Sequence, residues 1–205
     1  MSRGDIFEAA GRTIRVGAWS SREQVADSLG VLAMETVESL YFGDLSYKIE
    51  NAHRLHREFG ARLGANQEIQ EHLKRLLHLQ EKLTQVMRSM AIFELCGECG
   101  DRLAGGCCSA MMANETDSML LLINLSAGCE VSPRRDDDYE CCFLGPDGCS
   151  LKFKPFLCLN YLCRQIRGDS SREELACLQG ATSGLLSQLV VVEELIRQQL
   201  SAEGD

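Results

Sequence analysis

Apolar residues recur at helical spacing over most of this chain, lose that rhythm in one stretch, and regain it near the end. Ser20-Ser21-Arg22-Glu23 has the form of a capping box, in which a hydroxyl accepts from the first turn and the glutamate reaches back. The run that begins at Glu23, EQVADSLGVLAMETVESLYF, spaces its apolar residues as a helix does, and Gly43-Asp44 breaks it. A second helix is predicted from Leu45 to about Gly64, with Ile49, Ala52, Phe59 and Leu63 toward the core. A third is predicted from Asn66 to about Leu95. There Ile69, Leu73, Leu76, Leu83, Met87 and Met90 alternate at intervals of three and four, with Gln80 in the one polar slot. Such a stripe serves either a homodimer seam or packing on the chain's own helices.

From Cys96 to Cys163 the periodicity fades. Glycines, the acidic run Asp136-Asp137-Asp138 and the turn signal Gly145-Pro146-Asp147-Gly148 predict irregular structure. Within it, the apolar run from Ser118 to Leu125 fits a strand or a buried helical turn equally well. Asp169-Ser170-Ser171, followed by Glu173 and Glu174, signals a new helix start. Leu185, Leu189, Val192, Ile196 and Gln199/Leu200 then trace its apolar stripe. The fold class expected is mainly α: a helical bundle or helical hairpins, an irregular cysteine-rich metal-binding insert, and a closing C-terminal helix. The organisation expected is a helical region over 1–95, a cysteine-cluster region over 96–168, and a helix over 169–205 packing back on the first region.

Composition narrows the chemistry. The 205 residues are 45% hydrophobic and 25% charged, a globular mix. A net charge of −9 argues against general nucleic-acid binding. Residues 51–90 are locally basic, with seven Lys/Arg against four Asp/Glu, which reads as a solvated face or a dock for an acidic protein partner. The N-terminal residues lack the apolar run of a signal peptide, and no stretch is expected to approach a transmembrane length of about 18 apolar residues. The expectation is a cytoplasmic protein that does not engage a membrane, in a compartment that keeps thiols reduced.

That setting gives the cysteines their meaning. Of eleven, ten lie between Cys96 and Cys163. Cys96 and Cys99 form a C-x2-C pair whose turn lets two sulfurs face one ion. Cys107-Cys108 follow, then Cys129, Cys141-Cys142, Cys149, Cys158 and Cys163. Thiolates suit zinc and iron–sulfur clusters, and four ligands complete either kind of centre. Ten cysteines are too many for buried thiols, and a disulfide knot needs export. His53, His56, His72 and His78 lie far off in sequence and lack the i, i+4 spacing of a helical metal pair. Cys177 stands alone and is expected to be a small buried hydrophobe. A thiol redox role for Cys96-Gly-Glu-Cys99 lacks the βαβ context such a motif needs.

The order C-x2-C, CC, then CCFLGPDGCSLKFKPFLCLNYLC resembles the YkgJ-type cysteine-cluster family, described as zinc- or iron-chelating. The likeness covers about residues 96–163. Cys141-Cys142-Phe143-Leu144, Asp147-Gly148-Cys149-Ser150 and Lys154-Pro155-Phe156-Leu157-Cys158 stand at the family's motifs, and Cys158 to Cys163 repeats its final C-x4-C. The seven-residue gap between Cys99 and Cys107 is wider than the family's. Cys142 replaces a proline and Lys154 an arginine. The resemblance implies metal ligands at Cys96, Cys99, Cys107, Cys108, Cys141, Cys149, Cys158 and Cys163, with Cys129 and Cys142 as extras. It implies an iron–sulfur cluster or zinc as cofactor. Similar clusters occur in flagellin lysine methylases, but no glycine-rich nucleotide loop follows a strand here. The functions in view are an iron-holding protein with a redox, sensing or assembly role, and a zinc-stapled protein–protein interaction module.

Overall fold

The computed structural model describes residues 37–100, 106–134, 139–145 and 148–201, with the backbone alone for 37, 38 and 97–100. Of the first predicted helix, α1 (Val37–Tyr41) falls within these residues; the capping box at Ser20–Glu23 lies outside them. The chain is mainly helical and closes on a long C-terminal helix.

The break at Gly43-Asp44 is a built turn. Gly43 holds φ at +119°, and a Cβ there would meet the Tyr47 ring at 2.5 Å. Asp44 then caps α2 (Leu45–Ala65) by accepting from the Tyr47 N–H at 2.8 Å. Ala52, Leu55, Phe59 and Leu63 are buried along α2. Asn66 ends this helix and starts the next. Its N–H donates to the Arg62 carbonyl at 3.1 Å, and its side chain accepts from Ile69 N–H at 3.1 Å to cap α3 (Gln67–Ser89).

The third helix is shorter than its stripe suggests. Ala91 sits at φ +51°, and the chain restarts as α4 (Ile92–Gly100). Met90 and Ile92 are both buried. Two residues apart on a straight helix, they would point to opposite sides, so a change of direction lets both enter the core.

Most of the α3 stripe is used inside the chain. Ile69, Leu73, Leu76 and Leu83 share one core with Leu178, Leu185, Val192 and Ile196 of α9 (Arg172–Ser201). The two helices run antiparallel, pinned by Asn66 Nδ2 donating to Gln199 Oε1 at 2.9 Å and by a 2.8 Å contact between Gln188 Nε2 and His72 Nδ1. Ser171 and Glu174 form the reciprocal capping box at the start of α9, at 2.8 and 3.2 Å. By length and composition α9 is also apolar enough to cross a membrane, although polar residues interrupt every apolar run in it. Its Leu178–Ile196 stripe is buried against α3.

The apolar run within the cysteine-rich stretch is a helix. α5 (Ala110–Asn114) leads to α6 (Ser118–Ser126), which Asp117 caps by accepting from Leu120 N–H at 2.7 Å. Residues from Ser118 to Asn124 are all buried, because α2 covers one side and the downstream loops cover the other. A helix apolar all round belongs in such a place. A two-stranded hairpin, β1 (Leu144–Gly145) and β2 (Gly148–Cys149), stands at the predicted turn signal, with Gly148 at φ +98°. α7 (Phe156–Asn160) and α8 (Arg164–Asp169) then lead to α9.

Candidate metal centre

A second, smaller core lies under the cysteines. Ala52, Leu121, Val131, Cys141, Phe143 and Leu151 are buried there, with Cys108, Cys142 and Cys149 at its edge. This core fixes where the sulfur-bearing segments can go.

Three sets of backbone bonds bring those segments together. Cys141 N–H donates to the Cys108 carbonyl at 3.1 Å, and Ala110 N–H to the Tyr139 carbonyl at 2.9 Å, so the Cys107-Cys108 segment lies beside Cys141. The hairpin pairs Leu144 with Cys149, and Ser150 N–H donates to the Phe143 carbonyl at 2.8 Å. Asn124 of α6 holds the next loop. Its amide nitrogen donates to the Leu120 and Phe153 carbonyls, and its oxygen accepts from the N–H groups of Lys152 and Phe153, all at 2.9–3.0 Å. α4, which carries Cys96, packs against β2, and Lys154 Nζ lies 5.8 Å from the centre of the Phe93 ring.

The thiols feel one another. Cys107 donates its S–H to Cys108, which pulls the Cys108 pKa below the ordinary range even though burial, Cys141, Cys149 and Cys96 push it up. The same bond, with burial, holds Cys107 strongly protonated. Burial pushes Cys141 to about 11, with Cys149 and Cys142 adding to it. Burial takes Cys158 to about 12, helped by Cys149, Cys141 and Cys107 and opposed by Lys154. Burial raises Cys149 and Cys142 as well. A metal ion taking these sulfurs must therefore displace protons from most of them.

Five of the eight expected ligands, Cys96, Cys107, Cys108, Cys141 and Cys149, stand on segments that these contacts join, and Cys158 feels the charge of Cys149, Cys141 and Cys107. The backbone of Cys99 lies in α4; its side chain is outside the described residues. Cys163 is used differently, since its sulfur accepts from Ile166 N–H at 3.5 Å at the start of α8. Cys142 lies within reach of Cys149, whereas the charge acting on Cys129 is that of Lys152. No disulfide joins the described cysteines. Among the described residues no three Cys, His, Asp or Glu side chains stand close enough to hold an ion as they are. The donor chemistry suits zinc or iron–sulfur, and binding would require the sulfurs to draw inward.

The histidines are occupied elsewhere: His53 Nε2 lies 2.7 Å from the Val131 carbonyl, and His72 meets Gln188. Cys177 is exposed, contrary to the expectation of a buried thiol, because it lies in an open groove beside Gln85, Val86 and Ser89 of α3. Asn124 escaped sequence reasoning, and so did the place of Lys154 over the Phe93 ring. The signal for Asn124 was a lone amide inside an apolar run. Compared with known proteins, the chain matches no family model, no curated protein and no solved structure.

Proposed function

We propose that this chain is a cytosolic metal-binding protein whose clustered thiols hold iron, as an iron–sulfur cluster, or zinc. The observation that carries the proposal is the convergence of three cysteine-bearing segments: the Cys107-Cys108 segment bonds to Cys141 through the backbone, the hairpin ties Cys149 to Leu144, and α4 with Cys96 packs on β2. The likeness of their order to the YkgJ-type cluster supports the same reading. An iron–sulfur centre here would serve redox, sensing or assembly chemistry, its potential set by burial and hydrogen bonds to sulfur. The experiment is purification without air, followed by elemental analysis and visible absorption. A brown protein that bleaches on reduction supports iron–sulfur; a colourless one with stoichiometric zinc supports zinc. A protein without either metal, in which all eleven thiols titrate as free, overturns the proposal.

A second reading has one observation in its favour. Phe156, Leu157 and Tyr161 around Cys158 are 63%, 44% and 57% exposed, large apolar groups facing water beside the thiols. A zinc-stapled surface that binds a protein partner would use them. In that case chelation should abolish both the local fold and the partner surface.

A further inference from the structure

A groove of about 510 Å³ runs between α3 and the loops that follow α6 and β2. Its charge is opposite to that of the chain. Arg88, Arg134, Lys152 and Lys154 line it against two carboxylates, Glu81 and Glu130, in a protein of net charge −9. Glu130 is spent on Arg134 at 3.1 Å. Lys154 lies over the Phe93 ring, and neither Arg88 nor Lys152 has an ion-pair partner among the described residues. Unpaired cations gathered on a concave wall raise the local concentration of anions.

The same wall carries two unsatisfied polar atoms. Gln80 donates to Thr84 Oγ1 at 3.3 Å, but its carbonyl oxygen is buried without a partner, and so is the Ser150 hydroxyl. An unpaired buried polar atom costs about 1–3 kcal/mol, and both side chains line the groove, so a rotation that turns either atom toward a ligand supplying a partner is favoured. Leu77 and Phe93 give the groove an apolar floor. Its volume falls within the range of about 300–1,000 Å³ typical of small-molecule sites.

We propose that this groove binds a small anionic compound that carries a phosphate or carboxylate group together with a hydroxyl or amino donor. Arg88, Lys152 and Lys154 take the anion, and Gln80 and Ser150 take the polar remainder. Cys149 and Cys129 also line the groove, so the ligand would sit against the edge of the cysteine cluster.

The test is calorimetric titration of the full chain, both metal-loaded and chelator-treated, at fixed ionic strength. The probes are inorganic phosphate, glucose 6-phosphate and malate. Glucose 6-phosphate or malate should bind with Kd of about 1 mM or tighter. Whichever of the two binds decides between phosphate and carboxylate. Lys152→Ala and Arg88→Ala should each weaken binding roughly tenfold, as expected for loss of a charge-assisted contact. Gln80→Leu should weaken glucose 6-phosphate or malate but leave inorganic phosphate unchanged. Lys74→Ala, which removes an α3 cation outside the groove, should change nothing. Binding by none of the probes overturns the proposal, and so does equal weakening by Lys74→Ala. Helical circular dichroism of each variant separates loss of the site from loss of the fold.

Discussion

Asn124 and Phe153 are joined by two hydrogen bonds in opposite directions: the Asn124 amide donates to the Phe153 carbonyl at 2.9 Å, and its oxygen accepts from the Phe153 N–H at 3.0 Å. The oxygen also takes the Lys152 N–H at 3.0 Å. One fully buried side chain on α6 therefore satisfies the backbone of the loop between Cys149 and Cys158. Loop backbone buried away from water needs such a partner. Asn124→Ala should lower stability by about 2–4 kcal/mol, since it orphans several buried groups at once. Urea unfolding measures the loss. Hydrogen exchange should show the Lys152 and Phe153 amides losing protection first. Asn124→Asp keeps the acceptor but sets a buried carboxylate oxygen against the Leu120 and Phe153 carbonyls, so at pH 7 it should destabilise at least as much as Ala and recover part of the loss in acid, where the protonated carboxyl can donate.

Neighbouring thiols and isolated thiols should separate in a cysteine series. Cys108→Ser, Cys141→Ser and Cys158→Ser remove members of the mutually interacting set and should cut metal content at least severalfold. Cys177→Ser, exposed on α9 and outside that set, should leave it intact. Cys163→Ser should also retain metal. The Cys163 sulfur caps α8, and serine is the better cap. Metal-to-protein ratios by elemental analysis decide each case. Loss of metal in Cys163→Ser as well as in Cys141→Ser would favour the family-derived ligand set over the observed neighbourhood.

The helices were legible where one side of each helix meets one partner. The period in α3 survives because α9 covers one stripe of it, so Leu73, Leu76 and Leu83 repeat as a buried row. Asn66 was legible as a start because its cap is local. The turn at Ala91 was not, since alanine carries no breaker signal and the bend answers to the burial of both Met90 and Ile92. α6 could not be told from a strand, because a segment buried on all sides has no periodicity to read. Among the cysteines, spacing identified a cluster but not its members. Cys163 and Cys158 are alike in sequence. A local cap takes Cys163, whereas Cys158 lies within reach of the charge of Cys149, Cys141 and Cys107.

The bend at Ala91 offers a direct measurement of strain. Its φ of +51° costs an L-residue about 1 kcal/mol that glycine escapes. Ala91→Gly should therefore leave stability unchanged or raise it by up to about 1 kcal/mol, whereas the same exchange inside α3 should lower it by a similar amount. Thermal unfolding of Ala91→Gly beside a glycine at an exposed α3 position, such as Lys74→Gly, makes the comparison. Equal destabilisation by both would show that α3 and α4 form one continuous helix.

Asp117 should make stability fall as pH rises. Burial pushes its carboxyl to about 6, from 3.8, with Glu193 adding to the effect and Lys48 and the Leu120 N–H opposing it. Lys48 is itself tied down, its Nζ donating to the Asn114 carbonyl at 2.7 Å, and Tyr41 donates its hydroxyl to Glu193. Between about pH 4 and 6 the folded chain holds a proton at Asp117 that the unfolded chain has released, so stability drops through that window as pH increases. At pH 7 the ionised carboxylate costs on the order of 3 kcal/mol relative to acid. Asp117→Asn keeps an oxygen for the Leu120 N–H and carries no charge. It should be more stable than wild type at pH 7, by up to about 3 kcal/mol, and the difference should vanish toward pH 4. Urea midpoints of both proteins across this range test the sign. A variant that is less stable at pH 7, or a difference that grows toward acid, would mean that the charged cap outweighs its burial.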